Sequence, residues 1–175
     1  MSKSQNDYML LREKATQTTK EVTKKDVGWV FSLLANALTI HVSFARPGLF
    51  QGLTVSHGLH AVKHGVVGSS RFKTANKYGL QSLYFDEDCK ILLKDWLEVW
   101  RPILADGVEP DPGAWLFINA ASEPIEDWSR RLSLLWELTY SRQMNSTILR
   151  YWKATKVALS AGTEKERKMV IEADW

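Results

Sequence analysis

Two arginines and a lysine are the residues of this chain whose types and settings could do chemistry. Arg150 lies between Leu149 and Tyr151 in an apolar stretch with helical spacing, and Arg46 follows a long apolar run just before a Pro-Gly turn. An unpaired charge in apolar surroundings is costly, so such an arginine usually pairs with a carboxylate or binds a phosphate. Lys73 adds a third cation at the tip of a predicted β-turn.

Carboxylates are scarce near these cations in the sequence. Residues 27–85 contain no Asp or Glu, and Glu137 is the only one in residues 128–160. Binding of an anion is therefore one interpretation, because guanidiniums offer paired donors to phosphate oxygens and a lysine can act as a general acid. The alternatives stay open: a helix-end cation at Arg46, an ordinary turn lysine at Lys73, and at Arg150 an ion pair with a distant acid or a surface arginine lying over its own stem.

The charge of the chain is unevenly distributed. Residues 1–84 contain 11 Lys and Arg against 4 Asp and Glu, residues 85–127 contain 3 against 11, and residues 128–175 contain 9 against 5. If the two basic segments fold onto one face, that face suits a polyanion. Charges that simply alternate across solvated helices are the other interpretation.

Length and composition indicate an ordinary globular domain. The chain has 175 residues, of which 45% are hydrophobic and 25% charged, which is enough for one sizeable core. The longest apolar stretch, residues 27–45, is interrupted by Asn36, His41 and Ser43, which favours a buried helix over a membrane span. Cys89 is the only cysteine, so no disulfide can form within the chain, and a reducing intracellular compartment is favoured.

The elements that must position the cations follow from periodicity and turn chemistry. Thr23 is the expected N-cap of a helix that runs to about Phe44, just before Arg46. Two β-like runs around the turn TANKYG predict a hairpin that carries Lys73. A helix should follow, then a third short strand at AWLFIN and two more helices. The last helix should bury Ile148, Trp152, Thr155 and Leu159, and core-filling tryptophans are expected at Trp96, Trp100, Trp128, Trp136 and Trp152.

These elements sum to a mainly α fold with a small antiparallel β-sheet, the α+β class. We expect a loosely ordered N-terminal arm over residues 1–20 and a single domain over residues 21–175. His57, His60 and His64 share one predicted helix face, as metal ligands can. No cysteine or well-spaced acid completes that set, so we expect polar surface histidines and no metal site.

Three motifs around the cations resemble, in order, those of the tyrosine recombinases. FARPGLFQGLTV with Arg46 looks like the first arginine box, FKTANKYGLQSLYFDED with Lys73 looks like the lysine hairpin, and TILRYWKATKVALSAGT with Arg150 looks like the second arginine box. The family includes phage-type integrases and the related domains of eukaryotic Crypton-like elements. The resemblance runs from about residue 22 to the end of the chain.

The resemblance implies a recombinase catalytic-domain fold and a function in DNA integration and site-specific recombination. It implies duplex DNA as partner, self-association on that DNA, no membrane, no metal or other cofactor, and a nuclear location. In such a site a tyrosine hydroxyl attacks a DNA phosphodiester, two arginines stabilise the transition state and a lysine protonates the leaving oxygen. The implied catalytic residues are Arg46, Lys73 and Arg150, and the implied DNA-binding residues are Arg71, Lys77 and Lys153.

Two departures from the family pattern limit the implied activity. Thr147 stands at the family's histidine position and cannot do the proton chemistry of a histidine. Trp175 ends the sequence at or just before the family's His/Trp position, so we expect a domain truncated before the tyrosine nucleophile, a decayed copy, or a domain kept for binding. An interaction module of a different class, which keeps the fold and contacts other proteins, is the alternative.

The first prediction concerns catalysis. Residues 1–175 should form no covalent adduct with a nicked duplex, because arginines that stabilise a transition state cannot initiate the attack without a placed nucleophile. A labelled nicked duplex on a denaturing gel measures this directly. A covalent protein–DNA species would contradict the prediction and would implicate one of the tyrosines present: Tyr8, Tyr78, Tyr84, Tyr140 or Tyr151.

Overall fold

Helices dominate the chain, and a small antiparallel sheet lies between them in sequence. A computed structural model describes residues 3–17, 21–42, 47–69, 79–142, 145, 147–149, 151–152 and 155. The elements in chain order are α1 (Lys3–Gln17), α2 (Lys24–His41), α3 (Pro47–Gln51), α4 (Val55–His64), β1 (Val66–Ser69), β2 (Gln81–Tyr84), α5 (Glu87–Asp95), a π-helical turn (Trp96–Trp100), α6 (Arg101–Leu104) and α7 (Trp128–Tyr140). The predicted mainly α class with a small antiparallel sheet is confirmed.

The long apolar stretch forms the buried helix α2. Thr23 is its N-cap, as predicted, and forms a capping box with Asp26 in which each side chain receives the other residue's main-chain N–H. Asp26 gains hydrogen bonds from Thr23, and these lower the pKa of its carboxyl. Buried apolar residues then recur every three or four positions, as on one face of a helix; they include Val27, Phe31, Leu34 and Leu38.

An aromatic cluster forms the centre of the core. Trp128, at the start of α7, packs edge-on against Phe31 of α2 with ring centroids 5.2 Å apart, and stacks on Phe50 of α3 at 4.8 Å. Phe117 contacts both Phe31 and Trp128. Trp96, Trp100 and Trp128 are buried as predicted, whereas Trp152 is 56% exposed and does not fill the core.

The sheet has two strands among the described residues, not three. β1 and β2 pair antiparallel, with Val67 opposite Leu83 and both side chains buried. Residues 114–119, predicted as a third strand, make only single bridges such as Thr54 with Trp115. The chain that faces Trp115 becomes helical at Val55, directly after Thr54. It therefore has too few extended residues to form a strand with a series of paired hydrogen bonds.

One helical rod carries the acidic segment through the core. It runs through α5, the π-helical turn and α6, and the N–H of Arg101 donates to the carbonyl of Trp96, five residues earlier. The wider turn comes immediately before Pro102, which has no N–H and whose ring crowds the preceding carbonyls. The predicted helix over this stretch is therefore present, with a local change of pitch where the proline requires one.

The N-terminal segment, where the sequence led us to expect a loosely ordered arm, forms helix α1. Ala15 is buried, and Tyr8 and Leu11 pack against the core, so the inward positions follow helical spacing. Polar contacts of Tyr8 and Arg12 with Asp95 complete the docking. Apolar periodicity missed this helix because part of its inward face is polar.

Within the part of the chain that the structure describes, every helix is too short or too polar to cross a membrane.

The second prediction tests the aromatic cluster. Trp128→Ala should lower the free energy of unfolding by about 3–5 kcal/mol, because it leaves a cavity between Phe31 and Phe50. Trp152→Ala, at an exposed position, should lower it by about 1 kcal/mol or less. Urea unfolding followed by far-UV circular dichroism measures both. Equal losses for the two variants would show that the cluster is not the centre of the core.

Candidate nucleic-acid interface

All six cations predicted to contact DNA lie outside the described residues. The predicted catalytic set is Arg46, Lys73 and Arg150, and the predicted DNA-binding set is Arg71, Lys77 and Lys153. The structure describes the elements on both sides of Arg46 and of the stretch that contains Arg71, Lys73 and Lys77, and a helical turn before Arg150. These flanks show where the chain approaches Arg46, Lys73 and Arg150.

Both flanks of Arg46 are anchored to Trp128. On the N-terminal side, α2 ends at His41, and the Thr39 hydroxyl accepts a hydrogen bond from the Trp128 indole (Nε1–Oγ1 3.1 Å). On the C-terminal side, Phe50 of α3 stacks on the same indole with an interplanar angle of 10°. The chain therefore approaches and leaves the Arg46 stretch beside one buried tryptophan.

The stretch that contains Lys73 joins two hydrogen-bonded strands. Ser69 at the end of β1 is opposite Gln81 at the start of β2, which confirms the predicted pairing of the two β-like runs. Gly65, with φ 71°, ends α4 in the left-handed region and turns the chain into β1. The Ser69 hydroxyl is buried and has no hydrogen-bond partner among the described residues.

A capped helical turn precedes Arg150. The Asn145 side chain accepts a hydrogen bond from the N–H of Ile148 (2.9 Å), and its carbonyl accepts one from Leu149 (3.1 Å). Leu149 is 7% exposed, but Ile148 is 46% and Trp152 56% exposed. The prediction that Ile148 and Trp152 face the core is therefore wrong. Apolar residues at adjacent positions allow either face to be buried, and spacing alone cannot choose between them.

A side-chain hydrogen bond links the end of α2, before Arg46, to the start of α5, after β2. His41, in the last turn of α2, lies 2.9 Å (Nδ1–Oδ2) from Asp86, the N-cap of α5 just after β2. The N–H of Cys89 donates to the other carboxylate oxygen at 2.8 Å. This hydrogen bond, and to a smaller extent His41, lowers the pKa of Asp86, so the carboxylate is charged at neutral pH.

Acids of the middle segment pair with residues of the first basic segment. Arg12 donates to both oxygens of Asp95 (Nε–Oδ2 2.7 Å, Nη2–Oδ1 2.9 Å), and Lys24 lies 3.0 Å from Asp106. The Tyr8 hydroxyl also donates to Asp95, and burial raises the pKa of Tyr8. None of these partners is a predicted DNA contact. Asp95 was not predicted from the sequence, although an acid between Leu93 and Trp96 in an apolar stripe was the available signal.

Arg101 is a buried arginine that the sequence analysis also missed. It is 5% exposed, its guanidinium donates to the Trp115 carbonyl (Nη2–O 3.1 Å), and burial lowers its pKa. A main-chain carbonyl can therefore satisfy a guanidinium in apolar surroundings. The case for anion binding at Arg46 and Arg150 consequently depends on the order of the motifs and on the lack of nearby acids, more than on their apolar setting.

The three histidines of α4 do not converge on one point. The His57 ring nitrogen Nδ1 faces the N-cap of its own helix, 2.8 Å from the Thr54 hydroxyl and 3.1 Å from the Thr54 main-chain N. The rings of His60 and His64 lie against each other with centroids 4.4 Å apart. Two ligands of this kind are fewer than a zinc site uses. Among the described residues, the group of three metal-ligating side chains is instead His41, Asp86 and Cys89.

Comparison with known proteins adds no relative. No family model matches the chain, and no curated protein or solved structure is significantly similar to it. A function for this chain must therefore be argued from its own residues and motifs.

The third prediction concerns the buried carboxylate. Arg12→Ala should lower the free energy of unfolding by about 1–3 kcal/mol, because Asp95 is 7% exposed and loses a bidentate partner. Lys24→Ala removes a more exposed pair and should cost less than about 1 kcal/mol. Urea unfolding of both variants gives the comparison. A Lys24→Ala loss as large as that of Arg12→Ala would contradict the assignment of Asp95 as the buried anchor of α1.

Proposed function

We propose that this chain is a DNA-binding domain of the tyrosine-recombinase type, which holds duplex DNA through phosphate contacts. The observation that carries the proposal is the order of three basic motifs together with the elements between them. A helix ends shortly before Arg46, two paired strands flank the stretch with Lys73, and a capped turn precedes Arg150. The resemblance implies these elements in this order, so they support the proposal.

The distribution of acids gives further support. Residues 27–85, which contain Arg46 and Lys73, have no Asp or Glu. In the acidic segment, Asp95 accepts from Arg12 at both oxygens, and Asp106 and Asp86 also have partners. Fewer carboxylates remain to neutralise the candidate cations. DNA phosphates supply the anion instead, and Arg46 and Arg150 each have the planar fork that matches phosphate oxygens.

Binding, rather than strand cleavage, is the activity proposed for residues 1–175. Thr147 occupies the family's histidine position and is exposed, and its hydroxyl does not exchange protons near neutral pH as an imidazole does. In intact relatives the same cations would serve DNA integration and recombination. The proposal includes self-association on DNA and a nuclear location, both of which rest on the resemblance.

A protein–protein interaction module is the second candidate, and a groove favours it. A groove of about 600 Å³ lies between α1, α2 and α5, with a mostly apolar lining that includes Met9, Leu33, Leu34, Ile91 and Leu92. Met9 is 50% exposed and Ile91 is 60% exposed. Apolar surface around a groove is typical of a site where another protein binds.

The fourth prediction tests DNA binding. The anisotropy of a fluorescein-labelled duplex should rise as the protein is added. The association constant obtained from this titration should fall as the salt concentration rises, because phosphate contacts release counterions. Sequence preference should be modest, since most of the affinity comes from the DNA backbone. Folded protein that does not bind at low ionic strength would overturn the proposal and favour the interaction module.

Charge variants make the test specific to the motifs. Arg46→Ala and Arg150→Ala should each weaken binding and reduce the slope of log K against log salt by about 1, as expected for one lost phosphate contact. Lys94→Ala is the matched control, because Lys94 is an exposed cation of the acidic segment. Its affinity and slope should equal those of the wild type. A loss as large for Lys94→Ala would mean that binding follows net charge alone.

A further inference from the structure

Three side chains that commonly bind metals meet at the junction of α2 and α5. His41 comes from the last turn of α2, Asp86 is the N-cap of α5, and Cys89 lies in the first turn of α5. One ligand atom from each, an imidazole nitrogen, a carboxylate oxygen and the thiol sulfur, lies within 4.8 Å of the other two. His41 and Asp86 are 45 positions apart in the sequence, so the fold brings these side chains together.

We propose that His41, Asp86 and Cys89 bind a zinc ion. The donor set is the one that zinc prefers, since thiolate and imidazole are softer ligands than the oxygen atoms that magnesium and calcium require. A carboxylate completes a set of three protein ligands. Three ligands leave a fourth position of the tetrahedron for water.

The present arrangement needs only small movements to accept the ion. Bonds of about 2.0–2.3 Å in a tetrahedral zinc site place neighbouring ligand atoms roughly 3.3–3.8 Å apart. His41 Nδ1 and Asp86 Oδ2 are 2.9 Å apart, and the three ligand atoms all lie within 4.8 Å of one another. Side-chain rotations that shift these atoms by about 1 Å would bring all three spacings into the range of a zinc site.

The backbone already orients the carboxylate for this task. One oxygen of Asp86 accepts the N–H of Cys89 as the helix N-cap, and the other oxygen faces His41. A ligating carboxylate is usually held by such a second hydrogen bond. His41 and Asp86 are exposed, whereas Cys89 is buried. The ion would enter from solvent between the first two ligands and meet the sulfur on the inner side.

The same residues can also be explained without a metal. Asp86 would then be a helix N-cap that contacts His41 at the surface, and Cys89 a small buried side chain. An exposed His–Asp pair contributes little to stability, and a buried cysteine often acts as a small apolar side chain. That interpretation treats the three residues as independent of one another. The zinc proposal instead requires them to act together, so the two make opposite predictions for binding.

Binding would proceed without oxidation or reduction. The Cys89 thiol loses its proton to solvent as the zinc–sulfur bond forms, while neutral His41 and ionised Asp86 donate electron pairs. The bound ion would join the end of α2 to the start of α5. His41 ends α2 five residues before Arg46, and Asp86 follows β2 at the end of the strand pair away from the stretch with Lys73. Zinc would therefore stiffen the approach to Arg46 and the base of the strand pair.

Metal binding by the full chain tests the proposal. Chelator-treated protein should bind one zinc ion per chain in competition with a chromophoric chelator. With Co²⁺ as a spectroscopic substitute, the wild type should show a thiolate-to-cobalt charge-transfer band in the near ultraviolet. Because Cys89 is the only cysteine of the chain, this band reports that residue alone. A protein that binds no zinc, or binds cobalt without the band, would overturn the proposal.

Matched variants identify the other ligands. Cys89→Ser and His41→Gln should each weaken zinc binding at least tenfold, with circular dichroism used to confirm that the variants remain folded. His64→Gln is the control, because His64 also lies in the last turn of a helix but outside the group; its affinity should stay within about twofold. Unchanged binding by folded Cys89→Ser, or loss of binding in His64→Gln, would contradict the site. If a variant does not fold, the cobalt spectrum of the wild type still decides.

Discussion

The packing of Trp128 against three phenylalanines is the interaction on which the arrangement of the described chain depends. Its partners, Phe31, Phe50 and Phe117, come from α2, from α3 and from the stretch before α7. Aromatic pairs of this kind add about 0.5–1.5 kcal/mol each beyond the burial of their area. Because the same indole also donates to Thr39, the cluster fixes the two helices that border Arg46 at a single point of the core.

Electrostatic contacts complete this frame and pair several carboxylates of the acidic segment with residues of α1 and α2. Asp95 accepts hydrogen bonds from Arg12 and Tyr8, so a carboxylate inside the core anchors α1. The exposed Lys24–Asp106 pair contributes little to stability, but it also neutralises part of the acidic segment. The uneven charge of the sequence is thus partly cancelled by folding. In the sequence, residues 27–85, which contain Arg46 and Lys73, have no Asp or Glu.

The sequence predicted those parts of the fold whose signals are local. The capping residue Thr23 and a regular apolar stripe identified α2, and turn composition identified the strand pair. Contacts between distant segments were not predictable in the same way. Arg12 of α1 binds Asp95, which lies 83 positions away in the sequence. Apolar periodicity cannot predict such a polar contact between distant segments. The face of the last helix was assigned wrongly because Ile148 and Leu149 are both apolar, and only tertiary packing selects Leu149. For the candidate site, the sequence shows the order of the three basic motifs. Whether Arg46, Lys73 and Arg150 lie close together depends on the tertiary fold, which motif order does not determine.

Whether Arg46 and Arg150 share one phosphate is the question that tests the central claim most directly. A crystal structure of the protein bound to a duplex oligonucleotide would answer it. We expect both guanidiniums within about 3 Å of oxygen atoms of the same phosphate, and the Lys73 ammonium beside the adjoining 5′ oxygen. A structure with Arg46 and Arg150 on opposite faces of the protein would contradict this expectation. So would a structure in which each arginine forms a salt bridge with a carboxylate and does not contact the DNA.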